Sequence, residues 1–256
     1  MNEPTLNSES GLIRLRIDLS YDGTNYAGWA KQPDQRTIQG EIEAALAKIV
    51  GSEIEAVTGG RTDAGVHAVG QVIHIDLPQG STEVENLAFR LNQILEGDIR
   101  INKCAIAPKD FHARFSALSR TYIYKIIDGL GVVPPPARFD TATWFRKLDE
   151  NLMNEACAQI LGKHDFKAFC KFNPDQSTER TLLEFKWERD AGVLVARVKA
   201  NAFCHSMVRN LIGAAVCIGE SRFEKEWILK VLQEQERVSN SYVFPASGLT
   251  LLSIEY

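Results

Sequence analysis

The chain has 256 residues, of which 45% are hydrophobic and 24% are charged, the composition of a globular protein that can bury a core of its own. Its formal net charge of −4 excludes a generally basic protein, so a nucleic-acid partner would need a locally basic groove. Five scattered cysteines without a C-x-x-C pair predict neither a disulfide framework nor a zinc site, and we expect reduced thiols in a cytoplasmic protein.

The polar segment at the start of the chain, residues 1–11, lacks a signal-peptide core, and we expect it to be a mobile tail. No apolar run in the sequence is long enough to span a membrane. Residues 13–20 alternate between apolar and polar side chains, which predicts a strand with one buried face. After a loop dense in glycine and aromatic residues, apolar spacing over residues 38–49 predicts a helix with Thr37 as its N-cap.

Further elements complete a first half of the chain. Thr82 and Glu85 have the spacing of a capping box at the start of a second helix. The predicted order, βαββαβ, is that of a ferredoxin-like unit, which carries both helices on one face of its sheet. The elements that follow the first helix are strands over residues 53–58, 71–77 and 99–107 and a helix over residues 84–95.

The loop between the second and third strands has the sequence Gly59-Gly60-Arg61-Thr62-Asp63-Ala64-Gly65-Val66-His67. Its glycines permit a sharp turn and a close approach of the backbone to a ligand. Arg61 lies two residues from Asp63 and can stabilise its negative charge, which makes Asp63 a possible nucleophile. The structural alternative is an Asx turn, in which Asp63 only caps the loop.

The second half repeats this order of elements without a visible sequence repeat. Arg120, Tyr122, Tyr124 and Ile126 share one face of its first strand. We predict strands over residues 120–127, 183–188, 193–200 and 251–256, helices over residues 149–161, 207–216 and 227–232, a stiff extended loop around the prolines at 134–136, a loop over residues 164–169 and a polar, flexible segment over residues 173–180. The sequence therefore predicts an α+β protein with two ferredoxin-like halves, residues 12–115 and 116–256, joined into one mainly antiparallel sheet with a central cleft.

The segment from Gly60 to His67 resembles the catalytic loop of the bacterial tRNA pseudouridine synthase A family. Two positions depart from the family pattern, Ala30, where the family usually has Gln, and Thr250, where it usually has an aromatic residue. We expect these departures to affect substrate range rather than activity. Further resemblances follow in the family's order along nearly the whole chain, at Tyr21-Asp22-Gly23, Gly28-Trp29, residues 111–117, Arg120-Thr121-Tyr122, Asp165-Phe166, Met207-Val208-Arg209-Asn210 and Gly248-Leu249.

The resemblance implies the pseudouridine synthase fold and the isomerisation of uridine to pseudouridine at positions 38, 39 and 40 of the tRNA anticodon stem-loop. It implies a homodimer in which one tRNA spans both subunits, and neither a metal nor an organic cofactor. Asp63 would be the nucleophile or the carboxylate that stabilises positive charge at the sugar. Attack on C6 of the base, attack on C1′ of the ribose and a glycal route all remain open.

The resemblance also assigns roles to other residues. Arg209 would pair with Asp63, and Tyr122 would stack on the flipped uracil and assist loss of the C5 proton. Arg61 would pair with phosphate or with Asp63 and help to hold the target nucleotide out of its stack. Candidates for further contacts with the substrate are Arg114, Arg120 and His67, the last being either RNA-facing or structural, and the wider basic groove could include Arg14, Arg16, Lys125, Lys167, Lys171, Arg180 and Arg197.

Two other functions are compatible with parts of the pattern. A ferredoxin-like sheet with exposed aromatic residues can bind RNA without doing chemistry, although such a module has no need of Asp63 beside phosphates. A metal-dependent hydrolase could use Asp63, His67 and His112, but their spacing is not that of a metal site.

Overall fold

The computed structural model describes residues 11–171, 177–236 and 242–256. The predicted tail, apart from Gly11, and residues 173–176 of the predicted flexible segment lie outside the described residues. Within the described ranges, no helix combines the length and the apolar character needed to cross a membrane.

The described chain forms ten strands and five α-helices, with single turns of 3₁₀ helix at residues 135–137, 167–169 and 246–248. The strands are β1 (Leu12–Tyr21), β2 (Val57–Thr58), β3 (His67–Pro78), β4 (Ile99–Ile106), β5 (Ser119–Asp128), β6 (Ala142–Trp144), β7 (Gly162–Asp165), β8 (Glu179–Asp190), β9 (Val193–Ala200) and β10 (Leu249–Glu255). The helices are α1 (Ile38–Val50), α2 (Val84–Ile94), α3 (Glu150–Ala158), α4 (Met207–Gly219) and α5 (Trp227–Glu234).

All ten strands belong to one sheet with the order β4-β1-β3-β10-β5-β9-β8-β7, in which β2 pairs with β3 and β6 with β5. The pairings are antiparallel except for β3 with β10 and β5 with β6. The last strand, β10, lies between β3 and β5 and so joins the two ferredoxin-like halves. The predicted α+β class and mainly antiparallel sheet are confirmed, whereas the division at residues 115 and 116 stays a prediction.

The core follows the alternation that the sequence shows. In β1, Leu15, Ile17 and Leu19 are fully buried, whereas the residues between them are partly exposed. In the second half, α3 packs on β8 and on α4, and α4 is apolar nearly all round its surface. A helix that is buried on nearly every side is fixed rigidly, and its first residue therefore has a defined position in the fold.

Two of the predicted helix starts are confirmed and one is wrong. Thr37 caps α1 by accepting a hydrogen bond from the backbone N–H of Gly40. Asp149 caps α3 in the same way. The capping box of Thr82 and Glu85 does not form, because α2 begins at Val84 and its N-cap is therefore Glu83, whose side chain makes no capping bond.

Several predicted boundaries are also wrong. The second strand is only two residues long, and β3 begins at His67, four residues before its predicted start. The segment 164–169 contains the end of β7 and a turn of 3₁₀ helix rather than a loop alone. The triple-proline segment also includes a 3₁₀ turn, since proline is tolerated in the first turn of a helix.

Two of the five cysteines, Cys170 and Cys204, lie side by side with their sulfur atoms in contact, and the expectation of reduced thiols stays a prediction. Their Cα atoms lie 5.8 Å apart, within the range that a disulfide spans. Cys104, Cys157 and Cys217 are free. The two residues bring together the segment before α4 and the segment after the 3₁₀ turn at 167–169, which are 34 residues apart in the sequence.

Candidate active site

A cleft of about 730 Å³ opens between the loop from Gly59 to His67 and the N-terminus of α4. Its described lining contains a single carboxylate, that of Asp63. A concave surface with this imbalance of charge attracts anions. The arginines that line it are Arg61, Arg114, Arg120, Arg180 and Arg209.

Neighbouring strands and loops hold the Asp63 loop in place through its backbone and through Thr62. The Thr62 hydroxyl lies 2.8 Å from that of Tyr21. The Thr62 carbonyl accepts a hydrogen bond of 3.0 Å from the backbone N–H of Trp29. The side chain of Gln71, which is fully buried, donates to the carbonyl of Gly60 over 2.7 Å. Buried hydrogen bonds of this kind fix the loop and leave Asp63 facing the cleft.

The glycines of the loop serve two different purposes. Gly65 has a φ of +78°, a left-handed conformation that a residue with a Cβ rarely adopts. Gly59 instead permits close packing, because a Cβ there would meet the side chains of Ile254 and Tyr256 and the carbonyl of Ala113. Glycine at this position therefore allows the base of the loop to lie against the C-terminal strand.

The carboxylate of Asp63 faces three side chains from the start of α4. Its Oδ2 lies 3.5 Å from Nη1 of Arg209 and 3.4 Å from the hydroxyl of Ser206. Its Oδ1 lies 3.5 Å from Nε2 of His205. Arg209 is held in turn by a hydrogen bond of 2.7 Å from its Nε to the carbonyl of Phe244. The structure thus brings Asp63 and Arg209 together across 146 residues of sequence.

Arg61 is not among the side chains that face the carboxylate of Asp63. It is exposed at the cleft, and the ion-pair partners found for Asp63 are His205 and Arg209. Of the two roles predicted for Arg61, contact with a phosphate therefore suits its position better than a pair with Asp63.

Tyr122 forms part of the cleft wall, with 6% of its surface exposed. Its ring meets Phe203 edge to face, with the centroids 5.2 Å apart. Burial, and then the charges of Tyr21 and Asp63, raise the pKa of the Tyr122 phenol well above its usual value. The phenol is therefore a hydrogen-bond donor at neutral pH, and a phenolate base at this position is strongly disfavoured.

Arg120, predicted to contact the substrate, is instead buried and bonded to the backbone. All five of its N–H groups donate to carbonyl oxygens, so none remains free for a phosphate. Burial lowers the pKa of its guanidinium. We therefore correct its role to that of a structural anchor for the Asp63 loop. The accepting carbonyls belong to Gly59, which accepts twice, and to Arg114, Ala117 and Asn201.

His67 is likewise buried, at the start of β3. Its Nε2 donates to the carbonyl of Phe139 over 2.8 Å, and its Nδ1 accepts from the N–H of Gly23 over 3.2 Å. Both ring nitrogens are hydrogen-bonded to backbone groups of the protein. Of the two roles predicted for His67, the structural one therefore fits its position and contact with RNA does not.

Arg114 and Arg180, in contrast, line the cleft as candidates for RNA contact. Arg114 is exposed. The Nε of Arg180 is buried and has no hydrogen-bond partner among the described residues. Burial and then the charge of Arg114 lower the pKa of Arg180. Among the described residues, no carboxylate forms an ion pair with either side chain, and two such cations in one cleft form a site for an anion.

Most other members of the predicted basic groove are engaged with carboxylates elsewhere. A cation that is already paired gains less from a phosphate than a free one. These pairs are Arg14 with Asp76 at 2.6 Å, Arg16 with Asp18 at 2.7 Å, Lys125 with Asp140 at 2.6 Å and Arg197 with Glu184 at 3.2 Å.

Sequence reasoning missed His205, Ser206 and Gln71. His205 and Ser206 directly precede Met207, where the resemblance around Arg209 begins, and their position next to that motif was the available signal. No sequence feature marked Gln71, because it lies within a strand and its contact with Gly60 forms only in the folded chain.

Comparison with known proteins adds the family. A family model described as tRNA pseudouridine synthase matches residues 19–116 and 156–256, more than half of the chain. The chain belongs to the tRNA pseudouridine synthase family. This family consists of isomerases, so the predicted enzyme class is confirmed.

Relatives within the synthase family match over almost their whole length. A protein of Frankia casuarinae named tRNA pseudouridine synthase A is 49% identical over 248 residues, which cover 96% of this chain and 90% of the relative. A protein of Streptomyces griseus with the same name is 47% identical over 255 residues, with 97% and 90% covered. The solved structure titled "Crystal Structure of a Cbf5-Nop10-Gar1 Complex" is 15% identical, with a TM-score of 0.31 over 79% of this chain and 54% of that chain, too low a likeness to support an argument.

The two departures from the synthase pattern lie in different surroundings. Ala30 lines the cleft. Thr250 is buried in β10, where it pairs with His67 on one side and Ile123 on the other. A smaller side chain at position 30 changes the cleft surface that a substrate meets. The side chain at position 250 does not reach that surface and affects the packing of the sheet beneath the cleft.

The hydrolase alternative lacks a set of metal ligands in the part of the chain that the structure describes. No group of three or more His, Cys, Asp or Glu side chains there is arranged to hold a metal ion. His67, one of its three proposed ligands, has both ring nitrogens engaged with backbone groups.

Proposed function

We propose that this chain isomerises uridine to pseudouridine at positions 38, 39 and 40 of the tRNA anticodon stem-loop, with Asp63 as the nucleophile. Membership of the synthase family supports the reaction and the tRNA substrate. The observation that supports Asp63 most directly is its place as the single carboxylate in the described lining of an arginine-rich cleft, facing Arg209.

The reaction rearranges bonds without a net change in composition. The bond from N1 of uracil to C1′ of the ribose breaks, the base turns, and C5 bonds to C1′; C5 loses its proton and N1 gains one. Asp63 supplies the electron pair that attacks the substrate, and Arg209 stabilises the carboxylate when it is released.

The target base must leave its stack before Asp63 can reach it. Tyr122 and Phe203 form an aromatic wall in the cleft, against which a flipped uracil can lie. Arg61, Arg114 and Arg180 are the cleft cations that we assign to the phosphates on either side of it. Tyr122 takes part as a hydrogen-bond donor, consistent with its raised pKa.

We further propose that the chain acts as a homodimer with one tRNA spanning both subunits. The resemblance to the family is the support for this proposal. Sedimentation equilibrium of the purified chain should give twice the mass of 28.6 kDa. A monomer that is fully active at the same concentration would contradict the proposal.

Tritium release tests the reaction and its positions together. Unmodified tRNA transcripts are prepared with uridine, labelled with tritium at C5, at only one of positions 38, 39 and 40. We expect the chain to release label to water from each of the three transcripts. Binding without release from any of them would overturn the proposed reaction. A fourth transcript is labelled only outside the anticodon stem-loop, and release confined to that transcript would overturn the proposed positions.

A further inference from the structure

Ser206 has an unusual conformation at the start of α4. Serine is among the residues that best cap a helix, because its hydroxyl can accept a backbone N–H of the first turn. Ser206 occupies the N-cap position, yet its side chain makes no capping hydrogen bond. Its φ of 63° and ψ of 6° place it in the left-handed region, where a residue with a Cβ is strained. The chain therefore keeps both a strained backbone and an uncapped helix at this residue.

The Ser206 side chain is turned towards the cleft instead. Its hydroxyl donates to Oδ2 of Asp63 over 3.4 Å, and the same oxygen lies 3.5 Å from Nη1 of Arg209. Catalytic hydrogen bonds are often long in a substrate-free structure and shorten when substrate binds. The conformation that prevents capping is the one that brings the hydroxyl to the carboxylate.

The backbone around Ser206 is held on several sides. The carbonyl of Ser206 accepts hydrogen bonds from both the backbone N–H and the side-chain amide of Asn210, each of 3.1 Å. The carbonyl of His205 accepts from the N–H of Lys171 over 3.0 Å. Cys204, which directly precedes His205, lies against Cys170. Strained residues persist where their surroundings determine them in this way, and they are concentrated at functional sites.

We propose that Ser206 is a positioning residue, whose hydroxyl orients the carboxylate of Asp63 for attack on the substrate. The proposal rests on the proposed function of Asp63. Without the hydroxyl, the carboxylate keeps Arg209 at Oδ2 and His205 at Oδ1, each at 3.5 Å among the described residues, and it is less restrained in the attacking orientation. Binding of tRNA depends on the arginines of the cleft and is expected to be unaffected by the loss of the hydroxyl.

A pair of substitutions separates positioning from stability. Ser206→Gly removes the hydroxyl and relieves the backbone strain, whereas Ser206→Ala removes the hydroxyl and keeps the strain. Ser221→Gly is a matched control, because Ser221 also has a left-handed φ, of 59°, but lies just beyond the C-terminus of α4 and outside the cleft lining. Urea unfolding, KM for tRNA and kcat for tritium release are measured for all three variants and for Asp63→Asn.

We expect Ser206→Gly to unfold at the same urea concentration as wild type or a higher one, with KM unchanged within about twofold and kcat reduced on the order of tenfold. Ser206→Ala should lose kcat to the same extent and be less stable than Ser206→Gly. Ser221→Gly should keep full kcat. A Ser206→Gly variant with wild-type kcat, beside an inactive Asp63→Asn, would overturn this inference and leave the proposed function standing. Equal loss of kcat in Ser221→Gly would also overturn it, and an inactive wild type would overturn both.

Discussion

Asp63 and Arg120 line the same cleft, but the fold uses their charges in different ways. Asp63 is partly exposed and faces the side chains of His205 and Arg209 across the cleft. Arg120 is buried, and each of its N–H groups donates to a carbonyl, two of them to Gly59 at the base of the Asp63 loop. A residue with satisfied donors supports the site through its geometry, whereas one with free polar atoms can take part in the chemistry.

Replacing Arg120 should destabilise the fold, whereas the same change at Arg114 should not. Arg120→Met removes every one of these donors from buried carbonyls, and we expect a loss of about 2–4 kcal/mol in the free energy of unfolding. Arg114→Met changes an exposed side chain and should alter stability by no more than about 0.5 kcal/mol. Urea unfolding followed by circular dichroism measures both. Equal stability of the two variants would show that the backbone contacts of Arg120 are unimportant.

A pH-dependent stability is expected from His74, which is 4% exposed. Burial, followed by the charges of Arg14 and His112, lowers the pKa of His74 from 6.5 to about 4. Between these values the unfolded chain binds the proton and the folded chain does not, so stability is complete above pH 6.5 and falls as the pH drops towards 4. At about 1.4 kcal/mol per pH unit the total loss reaches roughly 3 kcal/mol.

Unfolding of wild type and His74→Asn at pH 7, 6 and 5 tests this expectation. Asparagine can still accept the backbone N–H of Ala113, which bonds to Nδ1 of His74 over 3.1 Å, but it does not titrate. The variant should lose less stability than wild type over this interval. Asp76, whose hydrogen bond with Arg14 lowers its pKa, titrates at a lower pH and does not interfere. Parallel losses in the two proteins would assign the pH dependence to other groups.

For single residues, the sequence predicted which side chains form the site better than it predicted their burial and contacts. The resemblance around Asp63 and Arg209 predicted a pair that the structure brings to 3.5 Å. It could not predict that Arg120 and His67 are buried, because their burial depends on strands that are remote in the sequence. Ser206 was missed for a related reason, since a serine before a helix ordinarily predicts a cap rather than a contact with a distant carboxylate.

At the scale of elements, local hydrogen bonds decide where helices begin. Asp149 Oδ1 accepts the backbone N–H groups of Asn151 and Leu152 at 2.9 and 3.2 Å, which satisfies two free donors of α3. Thr82 is also a residue type that caps helices well, but it lies one residue before the N-cap position of α2. The apolar periodicity predicted both helices, whereas the cap depends on the backbone angles of a single residue.

Substitution of these two residues should have unequal effects. Asp149→Ala should lower the free energy of unfolding by about 1 kcal/mol, because α3 loses its N-cap. Thr82→Ala should lower it by no more than a few tenths of a kcal/mol, since no capping bond is lost. Thermal and urea unfolding of both variants give the comparison. A larger effect at Thr82 than at Asp149 would contradict the assignment of the caps.

Element order was predictable from periodicity, but pairing between elements was less so. The sequence predicted β10 as a final strand and a join between two halves, and the structure makes that strand the join itself, between β3 and β5. Short strands such as β6 and β7 contain too few residues to show a period, and tertiary pairing alone defines them. The contact between Cys170 and Cys204 also depends on tertiary placement, because their two loops meet only in the folded chain.

At the scale of the whole molecule, the distribution of charge matters more than its sum. The chain has a net charge of −4, yet the part of the cleft lining that the structure describes combines five arginines with one carboxylate. Carboxylates elsewhere neutralise several of the remaining cations, such as Arg197 through Glu184. An acidic protein can thus present a locally positive surface to RNA.

The dependence of tRNA binding on salt measures this surface. Arg180→Gln should reduce the slope of log K against log salt concentration by about one unit, because one phosphate contact is lost. Arg197→Gln is the matched control, since Arg197 pairs with Glu184 and lies outside the cleft lining. Its slope should equal that of wild type. If Arg180→Gln kept the wild-type slope, or if only Arg197→Gln changed the slope, the RNA would lie on another surface.

The most direct test of the whole account is single-turnover tritium release by Asp63→Asn, with tRNA binding measured on the same preparation. Asparagine keeps the size of the side chain and removes its charge and its capacity as a nucleophile. We predict that the variant binds unmodified tRNA with an affinity close to that of wild type and releases label only at the background rate. Release at the wild-type rate would contradict the account, because the cleft would then act without its carboxylate.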